Sequence, residues 1–103
     1  MAGTRYYRGG NSLVPRSIDT VIDALTGLLR TDRGISVLDT PSGLERFGGP
    51  YEVTNLPPEL HVVKAGRRPG HFEIAPVHPM TPDEYEEALA EIVLVPVTTE
   101  EKK

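Results

Sequence analysis

The chain has 103 residues, with 11 Lys and Arg against 15 Asp and Glu and a formal net charge of -4. That length holds one domain able to bury roughly two-thirds of its unfolded surface. It contains no Cys, which excludes disulfides, thiolate metal sites and cysteine nucleophiles. The 10 Gly and 10 Pro are spread along the chain and argue for short elements joined by turns, against a helical bundle, a coiled coil or a disordered tail.

In chain order, residues 4–8 read as a short Tyr-containing strand stopped by Gly9-Gly10-Asn11. Residues 17–30 fit two patterns. Ile18, Val21, Ile22, Leu25, Leu28 and Leu29 fall at helical spacing behind a possible Ser17 cap, yet the same stretch reads as two strands around a turn at residues 23–27. Gly27 inside a helix costs about 1 kcal/mol, which favours the hairpin. Asp32-Arg33-Gly34 is a turn before a strand at 35–38, and residues 42–47 read as a short helix ending at Gly48-Gly49. Strands follow at 51–55, 60–65 and 71–75, separated by the rigid corner Leu56-Pro57-Pro58-Glu59 and the loop at 66–70. Thr81-Pro82-Asp83-Glu84 carries a capping box with Pro at the first helical position. Tyr85, Ala88, Leu89 and Ile92 form the apolar face of the helix that follows, which is expected to end near Glu91. A last strand is expected at 93–97 and a frayed polar tail at 98–103. The expected class is α+β, built on antiparallel sheet, as a single domain.

His61, His71 and His78 lack the spacing of a metal site, so no metal is expected. The acidic balance weakens a case for nucleic-acid binding. No apolar run approaches the ~20 residues that span a bilayer, and the first 11 residues carry Arg5 and Arg8 without an apolar stretch. Neither membrane contact nor a signal peptide is expected, and the chain is expected to start in a cytoplasm or to leave by a route that needs no cleaved signal.

Four segments carry chemistry. Arg8 ends a strand before two glycines, and an Arg so placed can pair with phosphate or carboxylate. In the strand at 35–38, Ile35 and Val37 point one way and Ser36 the other. With the apolar pair facing the core, Ser36 faces a cleft or solvent. In the strand at 71–75, Phe72 and Ile74 share one face while His71 and Glu73 share the other, so two titratable groups can reach one site. Arg67 and Arg68 beside Lys64 can attract a phosphate. Glu45, Arg46 and the acidic helix read as solvated surface, the latter also as a docking face.

Taken in order, Tyr7-Arg8-Gly9, residues 34–39, residues 56–64, residues 71–76 and Pro79-Met80 resemble the type-VI-secretion-exported toxin-two family of ADP-ribosyltransferase-like toxins. The resemblance runs from about residue 6 to residue 89, and residues 57–80 are its most specific part. It also favours the hairpin at 17–30. It implies two small packed antiparallel sheets with one or two short helices, and NAD held as substrate in the cleft between the sheets. Arg8 corresponds to an Arg on the first strand that holds phosphate or ribose. Ser36 corresponds to a strand Ser on the nicotinamide side, and His71 to the third position, with Glu73 beside it offering the acidic chemistry of the wider superfamily. Tyr7, Arg8, Gly9 and Ser36 are then the cofactor-binding set, with Tyr7 or Tyr51 able to stack on a ring. The implied activity is cleavage of the nicotinamide–ribose bond, by ADP-ribosyl transfer or hydrolysis, in a target cytoplasm. The implied partner is a neutralising immunity or antitoxin protein. Two alternatives stand beside it. One is a metal-independent ribonuclease using His71, Glu73 and Arg67 or Arg68. The other is a non-enzymatic module docking through the acidic helix or a sheet edge.

Overall fold

The computed structural model describes residues 5–10, 12–15, 19–44, 48–67 and 69–97. Its elements are β1 (Tyr7–Arg8), β2 (Ile35–Leu38), β3 (Tyr51–Thr54), β4 (Leu60–Lys64), β5 (His71–Pro76), α1 (Pro82–Leu89) and β6 (Val93–Pro96). All six strands join one antiparallel sheet in the order β4-β5-β2-β1-β3-β6. The chain is therefore α+β on antiparallel sheet. The described strands form one hydrogen-bonded sheet, where two packed sheets were expected. The physical reason is β1. Only two residues long, it pairs Tyr7 with Leu38 of β2 on one edge, and Tyr7 and Arg8 with Glu52 and Tyr51 of β3 on the other. It thereby stitches β4-β5-β2 to β3-β6.

One face of the sheet is packed by α1. Strand alternation puts Ile35, Val37, Phe72, Ile74, Val62, Val53 and Leu94 on that face. They meet Leu29, Met80, Tyr85, Ala88, Leu89 and Ile92 in the core. The helix starts as its sequence dictates: the Thr81 hydroxyl accepts from Glu84 N–H, the Glu84 carboxylate accepts from Thr81 N–H, and Pro82 follows the cap.

Residues 20–30 form the hairpin and not the helix. Ile22 bridges Leu29, Asp23 N–H donates to Leu28 C=O at 2.8 Å, and Arg30 N–H donates to Val21 C=O at 2.9 Å. Gly27 turns the tip at φ +73°, a left-handed conformation open to Gly at little cost. The Asp23 carboxylate caps the turn by accepting from Leu25 N–H.

The expected helix at 42–47 lies partly outside the described residues. Its described beginning is a turn at Ser42-Gly43, with Leu44 N–H donating to Pro41 C=O. The tail at 98–103, together with Glu45, Arg46 and Arg68, also lies outside them.

Candidate functional site

β2 stands between β1 and β5, so the three strands that carry Arg8, Ser36 and His71 are neighbours. The β2–β5 register sets Ser36 opposite Glu73 and Leu38 opposite His71, and Tyr7 lies opposite Leu38. Paired residues share a face, so Tyr7, Ser36, Leu38, His71 and Glu73 lie on the side of the sheet away from α1. On that side His71 Nε2 is 3.2 Å from Ser36 Oγ, a hydrogen bond whose direction depends on the imidazole tautomer. Both side chains are half-buried. The other ring nitrogen, Nδ1, faces the loop after β4, where it lies 3.8 Å from the position a Cβ on Gly66 would take.

Arg8 takes the opposite side. Alternation from Tyr7 directs it towards α1, the side on which the Tyr6 ring meets Phe72 edge-on at 5.2 Å. Its Nη1 donates to the Ser36 carbonyl at 2.7 Å and its Nε to the Ser12 carbonyl at 2.9 Å. Because β1 is so short, it leaves that β2 carbonyl without a strand partner, and the guanidinium supplies one. Arg8 and His71 thus touch the same serine from two sides, one at its backbone and one at its hydroxyl.

Glu73 is only 7% exposed. Its Oε1 accepts from Gly34 N–H at 2.9 Å and from Arg33 Nε at 3.3 Å. The carboxylate therefore secures the entry to β2, although it faces the same side as Ser36 and His71. Gly9 lies where the first loop crosses Gly49, whose Cβ would come within 3.0 Å of Gly9 Cα. Tyr51 lines a cavity of about 440 Å³ with Leu13, Leu89, Ile92, Leu94 and Pro96 on the helix side, away from the Ser36–His71 pair. Lys64 Nζ stands 5.9 Å from the centre of the Phe72 ring, and Arg67 is exposed in the loop after β4.

The residue that sequence reasoning missed is Tyr85. Expected as one apolar position of the helix, it is 1% exposed, and its hydroxyl enters the sheet. It accepts from Ile35 N–H at 3.0 Å and donates to Ile74 C=O at 2.6 Å. The available signal was that a buried Tyr hydroxyl needs a partner. Burial pushes this phenol from 10.0 up to about 12, opposed by the bond from Ile35, with the charges of Asp19 and Glu73 raising it and that of Arg8 lowering it. An unfolded chain loses this proton near pH 10, while the folded one holds it to about 12. The contribution is therefore fully present below pH 10 and is lost as pH rises through 12, a fall of about 2–3 kcal/mol. Urea unfolding as a function of pH should show that alkaline decline, and Tyr85→Phe should lack it.

Among the described residues no cluster of three or more His, Asp or Glu is placed to hold a metal, and no helix is long and apolar enough to cross a membrane. Fold and site together define a small α+β domain with a serine–histidine pair on one face of an antiparallel sheet. The chain matches no family model, no curated protein and no solved structure.

Proposed function

We propose that this chain is a bacterial toxin domain of the ADP-ribosyltransferase-like kind, one that binds NAD and cleaves its nicotinamide–ribose bond. The observation that carries the reading is the link through Ser36. Arg8 on β1 bonds the Ser36 carbonyl and His71 on β5 bonds the Ser36 hydroxyl. An Arg–Ser–His set drawn from three distant stretches of sequence thus lies on three adjacent strands and meets at one serine, with Ser36 and His71 on the face that would receive NAD and Arg8 bracing the Ser36 carbonyl from the other face, where the resemblance had it lining the cleft.

In this reaction the bonding pair of the glycosidic C–N bond leaves with nicotinamide. The ribose passes through a cationic, oxocarbenium-like state, and water or a target nucleophile then bonds to its anomeric carbon. Catalysis of such a step consists of positioning, of a dipole or negative charge near the ribose, and of exclusion of water. Ser36 Oγ orients the nicotinamide end. His71 Nε2 takes the proton that the attacking nucleophile releases, a task suited to an imidazole near neutral pH. Glu73 adds negative charge from beneath the pair while holding Gly34 and Arg33. Arg8 fixes the Ser36 strand from the other side. Tyr7, on the same face as the pair, offers a ring for stacking.

The partner of such a toxin in its producer is an immunity or antitoxin protein that covers this face. The place of action is the cytoplasm of a target cell.

The test is direct. Purified protein incubated with NAD should release nicotinamide. Added NAD should shift the amide resonances around Ser36, His71 and Tyr7 more than those of the acidic helix. Absence of both effects at millimolar NAD removes the reading. Degradation of cellular RNA on expression, with no change in NAD, would replace it with the ribonuclease alternative.

A further inference from the structure

We propose that Arg33 and Arg67, one on each side of the Ser36–His71 pair, are the cations that hold the phosphates of the dinucleotide. The inference rests on the NAD reading above and gives these two the role that the resemblance assigned to Arg8. Arg8 lies on the helix side of the sheet, and its guanidinium is engaged with the carbonyls of Ser36 and Ser12 at 2.7 and 2.9 Å. A substrate lying against Ser36 and His71 needs its phosphates matched from the open face instead.

Glu73 stands opposite Ser36 in the β2–β5 register, and Arg33 lies against its carboxylate, with Nε 3.3 Å from Oε1. The Arg33 side chain is 44% exposed, and its Nη groups make no hydrogen bond among the described residues. On the other side of the pair the loop after β4 packs on the His71 ring. A Cβ on Gly66 would stand 3.8 Å from Nδ1, and Ala65 N–H donates to the His71 carbonyl at 3.1 Å. Arg67 follows directly. It is exposed and has no hydrogen bond or ion pair among the described residues. An arginine so placed offers phosphate a planar, two-pronged donor.

The charge distribution directs an anion to this face. Residues 82–91 hold five acids and no base, and those acids are exposed on α1 and just after it, on the far side of the sheet. The rest of the chain carries 11 bases against 10 acids, a net charge of +1. On the open face the Glu73 carboxylate bonds Gly34 and Arg33, and that of Glu52 lies 3.8 Å from Arg5. Even with Asp39, exposed beside Gly70, counted there, the open face is near neutral while the helix is acidic.

The experiment titrates the full chain with ADP, which has the linked phosphates and no nicotinamide, and with inorganic pyrophosphate. Amide resonances of Gly34, Gly66 and Arg67 should shift. Arg33→Gln and Arg67→Gln should each weaken ADP binding about tenfold, the size of a lost charged hydrogen bond, while Arg30→Gln, the same charge change on the hairpin, stays within about twofold. With NAD as substrate both variants should raise KM about tenfold and leave kcat within about twofold, because a grip remote from the reacting bond holds ground and transition states alike.

Shifts centred on Arg8 and Ser12, with affinity unchanged in both variants, overturn the proposal. So does absence of ADP and pyrophosphate binding at millimolar concentration. Tighter binding of a single-stranded RNA through the same two residues overturns the dinucleotide as the occupant. Should ADP bind through Arg33 and Arg67 while NAD stays intact, the cleavage reading fails and the phosphate site stands. Should NAD be cleaved while ADP binding ignores both residues, the reverse holds. If Arg33→Gln does not fold, Arg67→Gln decides by itself, because Arg67 bonds to no described residue.

Discussion

Replacing Gly34 with alanine is expected to cost about 4 kcal/mol or more of folding free energy, a size that marks a specific structural conflict and that is most of the stability of a small domain. The reason is space. Gly34 carries no left-handed φ, but a Cβ would stand 1.7 Å from the Ile74 carbonyl oxygen, 2.6 Å from its carbon and 2.6 Å from the Tyr85 hydroxyl. None of these can yield cheaply. The carbonyl belongs to β5, which lies between two other strands, and the hydroxyl is pinned at both ends. Gly43 serves as the control. Its φ is +85°, and no atom of the described residues lies within 4 Å of where an alanine methyl would stand. Alanine there carries only the left-handed penalty, about 1 kcal/mol. Urea unfolding of the two variants should separate them clearly. A Gly34→Ala protein within about 1 kcal/mol of wild type would mean that β2 and β5 do not approach as described.

The second large effect is expected from His71→Ala, which should lower nicotinamide release by about 100-fold or more, the range for removal of an acid–base group. Its effect on stability should be small, about 1 kcal/mol, because the side chain is half-buried and its hydrogen bond runs to one serine hydroxyl. Arg8→Ala should behave differently. It strips a charged donor from the carbonyls of Ser36 and Ser12, and such bonds contribute about 2–3 kcal/mol. Stability and kcat should then fall together. Denaturation and steady-state kinetics on the same samples make the comparison. If Arg8→Ala instead kept full stability and raised only KM, the guanidinium would be gripping substrate phosphate and not bracing the strand.

Arg8, Ser36 and His71 stand out in the sequence as three polar positions on three short strands, and the resemblance has all three facing a common cleft. Alternation places Ser36 and His71 on one face with Tyr7 and Glu73. Arg8 falls on the other, because Tyr7 pairs with Leu38 and the next residue must turn over. A one-residue change in that register would have reversed the result, and nothing in a two-residue strand announces its register beforehand.

Local chemistry alone determined most of the elements of this protein. The Thr81 capping box, the turn around Gly27, the Pro57-Pro58 corner and the period-two pattern of residues 35–38 and 71–75 each act within a few residues, where steric and hydrogen-bonding preferences are strong. Only the tertiary structure decided that β1 would join all six strands into one sheet. The same holds for the Glu73 carboxylate closing on Gly34, 39 positions away, and for the Tyr85 hydroxyl bonding to both β2 and β5. Those outcomes depend on groups that meet through strand order and register, and the entropy of closing long loops leaves no trace of such meetings in neighbouring residues.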